Sequence, residues 1–494
     1  MKAHEKRNGM LIYRLACLYV MIPIALFLAG WTRWWIALIG IVIIGYCLYT
    51  MFRESPGIEF PCFRGHAEIW IAALLIIAVW VYLSGIGRLT FQNADHYWRN
   101  TIFDLLVKKS WPVVDAVKTE RGTSVFGMVY YIGFWLPSAL VGKVFGLNAG
   151  YYCQALWAVL GIFLFYYLLC TYLKRVAVWP LIVIVLFSGL DVVGDYLLGS
   201  NVLQNGFTSH LEWWNTWMQF SSHTTLLFWV FNQTIPIWLI LMLILLQKKN
   251  RHIVFLISFS LLSSTLPFIG LIPFMICQGI RNVWHRMDPF LHNIRRIIKE
   301  TFTIENLVGG GFVGILSFLY LKENTAGQNL AIMIPASFRS WLIIYLLFLF
   351  LEAGVFLIGI YRYQKKNVLF WMLIPLFMIF PLIQVGFASD FCMRASIPAI
   401  LVLCIMVIET LDQAAKKKDL ITVMILIVLL AVGSITPLHE ISRTIINTSR
   451  DEGMNVQVSE DQILGAPNFS CEAEDSFFFH HLSGGWHVET KEAE

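Results

Sequence analysis

Apolar stretches of roughly twenty residues recur along this chain from residue 11 to about residue 436. A run of that length matches the thickness of a bilayer's hydrocarbon, where no water is present to bond a free N–H or C=O, so each must close its hydrogen bonds as a helix. The 494 residues are 58% hydrophobic and 14% charged, against roughly 25% charged in a soluble domain. The expectation is an all-α polytopic membrane protein. About thirteen candidate spans fall near 11–30, 34–52, 68–86, 125–145, 150–173, 177–198, 224–246, 253–280, 304–321, 340–361, 368–387, 397–412 and 420–436. Residues 1–436 thus form a transmembrane domain, followed by a polar tail over 437–494.

Lysine and arginine fix the orientation. The basic clusters at 2–7, 248–252, 281–299, 362–366 and 416–418 belong on the cytoplasmic side, and residues 88–124, 199–222, 322–339, 388–396 and the tail belong outside. The net charge of +5 therefore reports orientation and gives no sign of a nucleic-acid partner. Stretch 253–280 has basic residues at both ends, so a break near Pro267 predicts two half-length helices that enter and return. The number of crossings within 125–198 stays open, because two spans followed by 177–198 give the wrong parity. The N-terminal apolar run lacks a clear cleavage site and reads as a retained anchor. The nine cysteines, Cys62 among them, are scattered with no metal-ligand spacing; Cys392 and Cys471 both read as external and are candidates for a bridge. Asn447 and Asn468 begin glycosylation sequons, meaningful only in a eukaryotic secretory compartment, and the run Phe477-Phe478-Phe479 is expected to dock the tail on the membrane domain.

Chemistry in such a chain collects on the few ionisable groups at the membrane surface. In loop 88–124 the run Asn93-Ala94-Asp95-His96-Tyr97 precedes residues 97–109, whose periodicity predicts a helix lying in the interface. Asp95 is positioned to act as a general base toward a hydroxyl, with Arg88, His96 and Arg99 near it to bind a phosphate. An ordinary solvated loop explains the same charges. Asp104 and Asp115 are weaker candidates.

Asp191 and Asp195 are four apart and share a face if helical. Such a pair suits a divalent cation or a substrate hydroxyl, or else caps neighbouring helices. His210, Glu212 and the tryptophans at 213, 214 and 217 make either an aromatic belt or a platform for sugar rings. Asn232 and Gln233 are polar inside a span and serve either interhelical bonding or a cavity wall. Arg394, with Asp390 beside it, suits a phosphate or pyrophosphate, or forms a structural pair.

Together these features resemble the GT-C superfamily of membrane glycosyltransferases. Its mark is an acidic residue in the first large external loop followed by interfacial helices, which Asp95 and residues 97–109 match. The runs Trp111-Pro112-Val113, Tyr130-Tyr131-Ile132-Gly133-Phe134-Trp135-Leu136-Pro137, Phe231-Asn232-Gln233, Met393-Arg394-Ala395-Ser396-Ile397-Pro398-Ala399 and Ser476-Phe477-Phe478-Phe479 are similar to bacterial multispan members of that superfamily. The family's signature often holds two acids, whereas here His96 and Tyr97 follow Asp95. The resemblance implies a bacterial plasma (inner) membrane enzyme that takes a sugar from a polyprenyl-phosphate donor and gives it to a glycan, lipid or protein acceptor. In that enzyme Asp95 is the base, and Arg394 with Arg88 or Arg99 grips the carrier phosphate. Two other readings are a transporter of lipid-linked saccharides, suggested by the half-helices, and a non-catalytic scaffold in polysaccharide synthesis.

Overall fold

The structure is a computed structural model that describes residues 2–54, 58, 60–61, 65–119, 122–285, 287–324, 330–332, 338–386 and 389–486. Cys62, residues 325–329 and 333–337, and the tail beyond 486 lie outside the described residues. Nine helices among the described residues are long and apolar enough to cross a bilayer, or ten if one bent pair counts as a span.

In chain order, α1 (Lys2–Trp31), α2 (Trp34–Arg53) and α3 (Ala67–Leu83) come first, then α4 (Ala94–Lys108). Strands β1 (Val114–Thr119) and β2 (Gly122–Met128) form an antiparallel hairpin. Next are α5 (Leu136–Phe145), α6 (Leu147–Leu173), α7 (Trp179–Leu186) and α8 (Asp191–Leu198). The central helix α9 (His223–Leu246) is buried over nearly its whole length, kinked at Val230, where the Thr234 hydroxyl takes up the carbonyls of Leu226 and Val230. The short α10 (Ile253–Ser258), α11 (Thr265–Val283) and α12 (Phe290–Thr301) follow. A π-helical turn at Glu305–Gly310 leads into α13 (Gly311–Leu321), bent 63° from α12. Strand β3 (Leu330–Ile332) precedes α14 (Phe338–Leu349), which runs through a second π turn at Phe350–Gly354 into α15 (Val355–Gln364). After α16 (Val368–Ile379), β4 (Ile383–Val385) pairs with β3. The remaining helices are α17 (Asp390–Ala395), α18 (Ile397–Lys416), α19 (Leu420–Gly433), α20 (Ile435–Ser449) and α21 (Glu460–Leu464), and β5 (Ser470–Glu472) closes the order of strands.

The parity problem resolves at 125–145. Its first residues are strand β2, and α5 has ten residues, about 15 Å of helix, too short to cross. Helix α6 then runs inward and the broken pair α7–α8 runs outward, which agrees with the basic clusters. The break expected near Pro267 lies instead over residues 259–264, and Pro267 sits in the first turn of α11, where a missing N–H costs nothing. At this break Ser264 Oγ bonds Gln233 O at 3.2 Å, and Leu262 O accepts Gly133 N at 3.0 Å.

Helix α4 is not an interfacial helix with one wet face. Its polar side, with Arg99, Asn100, Thr101 and Asp104, is buried as well as its apolar side. The tail covers it: Asn100 Nδ2 donates to Val456 O at 2.6 Å and Thr101 Oγ1 to Val458 O at 2.8 Å. The tail does not hang free. Residues 435–449 continue as helix α20, β5 adds a third strand beside β2, and Phe478 and Phe479 are buried, Phe478 against Phe27 and Tyr320. Cys392 and Cys471 are free thiols, so these two candidates do not form a bridge. Cys392 Sγ instead meets Gln219 O at 3.3 Å.

Helix α11 meets α17 at Gly270, where an added Cβ would stand 2.0 Å from the Ala395 carbonyl oxygen. We expect Gly270→Ala to cost about 1–3 kcal/mol by overpacking. Thermal unfolding in detergent measures it against Gly314→Ala, whose nearest neighbour is 3.9 Å away and which should be neutral.

Candidate functional site

Two short helices, far apart in sequence, bring their charges together at the outer end of the bundle. Asn93 caps α4 by accepting Asp95 N at 3.1 Å, which puts Asp95 in the first turn, where the helix dipole favours an anion. One turn on, Arg99 Nη2 bonds Asp95 Oδ2 at 2.7 Å. Helix α17 repeats the pattern, with Arg394 Nη2 at 3.2 Å from Asp390 Oδ1. Asp95 and Arg99 lie close enough to act electrostatically on Asp390, and Asp95 also acts on Arg394. The Tyr131 hydroxyl accepts from Arg394 Nη1 at 3.2 Å, and the Tyr130 and Tyr131 rings stand 3.8 Å apart.

Exposure grades this cluster from rim to floor. The side chains of Asp95 and Asp390 are 36% and 33% exposed, whereas those of Arg394 and Arg99 are 15% and 5% exposed. Arg99 Nε and Nη1 and Arg394 Nε are buried with no partner among the described residues. A buried donor without an acceptor costs about 1–3 kcal/mol, so three of them on two guanidinium groups mark a place that favours an anion. Burial raises the Asp390 carboxyl above its usual range, against the pull of Arg394.

His96 is close by, in surroundings that disfavour its charged form. Its ring is buried beside Phe231 with Nε2 3.1 Å from Phe228 O, and burial, then the Arg99 charge, lowers its pKa to about 4. Arg88 is turned away from Asp95 onto Asp104 (3.3 Å) and the Tyr151 ring. Its Nε is buried with no partner among the described residues. Asn232 and Gln233 follow Phe231 in α9, fully buried, with both Asn232 side-chain polar atoms and Gln233 Nε2 unbonded among the described residues.

No family model, curated protein or solved structure matches this chain.

The other candidates form a second buried cluster. His210 Nδ1 lies 2.6 Å from Glu440 Oε1, and its Nε2 lies 3.2 Å from Glu212 Oε2, off the hydrogen-bonding axis. Glu440 also takes Arg443 Nη2 at 2.7 Å and Trp229 Nε1 at 3.0 Å. Burial alone would lower the His210 pKa, but Glu440 and Glu212 raise it to about 10. His210 and Glu212 are thus buried against each other. Trp214 is buried, while Trp213 and Trp217 are each 48% exposed. Asp195 binds the backbone N–H groups of Val202 and Leu203, and Asp191 is bonded by Ser188, Thr436 and Trp214, so the two do not converge on a shared cation. Among the described residues no group of three His, Cys, Asp or Glu is arranged to hold a metal ion.

A surface hollow of about 760 Å³ lined by Arg33, Trp34, Trp35 and Trp486 involves none of the candidate residues. Sequence reasoning missed Glu352, Glu440 and Arg443. Glu352 was detectable as a lone acid within an apolar stretch, whereas Glu440 and Arg443 lay in what read as a polar tail.

Proposed function

We propose that this chain is a GT-C-type membrane glycosyltransferase that takes a sugar from a polyprenyl-phosphate donor and passes it to a glycan, lipid or protein acceptor on the outer face of a bacterial plasma membrane. One observation carries the reading: two arginines with unspent buried N–H groups, Arg99 and Arg394, flank a carboxylate that an acceptor can reach, Asp95. A phosphate diester would accept those donors, with its lipid tail in the adjoining bilayer and its sugar turned toward Asp95. Asp95 would take the proton of the acceptor hydroxyl as that oxygen attacks the anomeric carbon, and the carrier phosphate would leave as the arginines neutralise it. Counting the bent pair and the two shorter apolar helices as crossings brings the spans to about twelve, against the thirteen apolar stretches read from the sequence.

Arg394→Gln should raise the donor KM about 10–100-fold, since a charged hydrogen bond is worth about 1.5–3 kcal/mol. The assay is transfer from polyprenyl-phosphate sugars by the purified protein in proteoliposomes. An unchanged donor KM in both Arg394→Gln and Arg99→Gln would count decisively against the reading. A transporter of lipid-linked saccharides is favoured by the broken pair α10–α11 beside the unbonded Asn232. Movement of labelled lipid-linked sugar across protein-containing liposomes, without transfer, would select it.

A further inference from the structure

Within the bundle, Asp191 on α8 and Glu352 in the π turn Phe350–Gly354 face each other, 1% and 4% exposed. One indole N–H serves both: Trp214 Nε1 lies 3.1 Å from Asp191 Oδ1 and 3.2 Å from Glu352 Oε1. Asp191 Oδ2 accepts from Ser188 Oγ and Thr436 Oγ1, each at 2.8 Å. Glu352 Oε2 is buried with no donor among the described residues. It lies against Gly189, where even a methyl group would collide with it. Leu190 N bonds Leu351 O at 3.2 Å, so the gap between α7 and α8 is latched to the π turn.

No lysine, arginine or histidine lies within ion-pair distance of either carboxylate among the described residues. The titratable groups on the neighbouring elements do not supply the missing charge. Asp195 is committed to Val202 and Leu203; Glu212, the nearest further acid, is committed to His210; Glu440 is committed to His210 and Arg443. His223 on α9 is buried beside Phe187 and Trp238, and Cys392 on α17 holds Gln219 O. Two buried anions that face each other with no cation beside them are far costlier than one anion and one acid.

We propose that Asp191 and Glu352 form a proton-binding site, holding one proton between them while α8 is latched to the π turn. Release is a simple dissociation: the shared O–H···O breaks, the proton leaves to water, and two carboxylates remain. Their repulsion then acts across the Leu190–Leu351 contact. π turns inside α-helices recur at functional positions, and a lone intramembrane acid is a functional candidate by default. The site is independent of the Asp95 cluster, so its failure would leave the transferase reading intact.

Infrared difference spectroscopy on the full chain in lipid nanodiscs tests this. The wild type should show a protonated-carboxyl C=O band at neutral pH that shifts in heavy water and is lost in Glu352→Gln. Asp191→Asn should also alter it, which covers the case in which one variant fails to fold. Glu352→Gln, which mimics the acid form, should in addition remove the decline in thermal stability that the wild type shows as the band titrates away. A wild type without such a band, or a band unchanged in both variants, overturns the proposal. A band that disappears in sodium chloride but persists in potassium chloride would reassign the site to a sodium ion and overturn it equally.

Discussion

Replacing Asp95 by asparagine is expected to lower sugar transfer at least ~100-fold while leaving the protein folded. A positioned general base contributes about 10²–10⁴-fold, and the amide keeps the shape of the side chain without its basicity. The fold should survive because Asp95 itself is part-exposed and the amide oxygen of asparagine still offers Arg99 Nη2 an acceptor. Turnover and thermal unfolding measured on one preparation separate the two effects. Full turnover with Asp95→Asn would remove the base from this position.

His210→Ala should produce the largest loss of stability. It leaves Glu212 and Glu440, both fully buried, without the cation between them, and breaking a buried pair costs about 3–5 kcal/mol. The pH dependence has a defined sign. The folded-state pKa of His210 is raised from 6.5 to about 10, so its contribution is complete below 6.5 and is lost as pH rises through about 10. Glu212 is shifted the other way, with His210 overcoming the cost of burial, so its contribution is present above 4.5 and lost as pH falls below that value. Wild-type stability should therefore fall toward alkaline pH, and the His210→Ala profile should lack that fall. Equal alkaline slopes in the two proteins would refute a charged His210.

The membrane class was legible because hydrocarbon length and charge asymmetry are local properties of the sequence. The positions of the long helices followed from the same signal. Residues 125–145 misled because apolar composition alone cannot separate a crossing helix from a buried strand and a ten-residue helix. Helix α4 misled for another reason: its polar face looked solvated, and only the tail's backbone, more than 350 residues away, satisfies Asn100 and Thr101. The i,i+4 pairs Asp95–Arg99 and Asp390–Arg394 were each legible from spacing. Their meeting was not, because no local pattern brings α4 and α17 together. Glu352 and Asp191 escaped notice as a pair for the same reason, since α8 and the π turn meet only through tertiary packing.

The strand over Ser470–Glu472 completes a sheet begun at Val114, and Gly484 N bonds Trp31 O while Leu482 O takes Arg33 N. Early segments thus wait for late ones. During synthesis the hairpin and the α1–α2 corner leave the translocon with open edges, and these are covered only after residues 470–484 have followed. Completion of this sheet is therefore a late event, and nascent chains stalled before residue 470 would present the open edge of β2 to quality-control proteases.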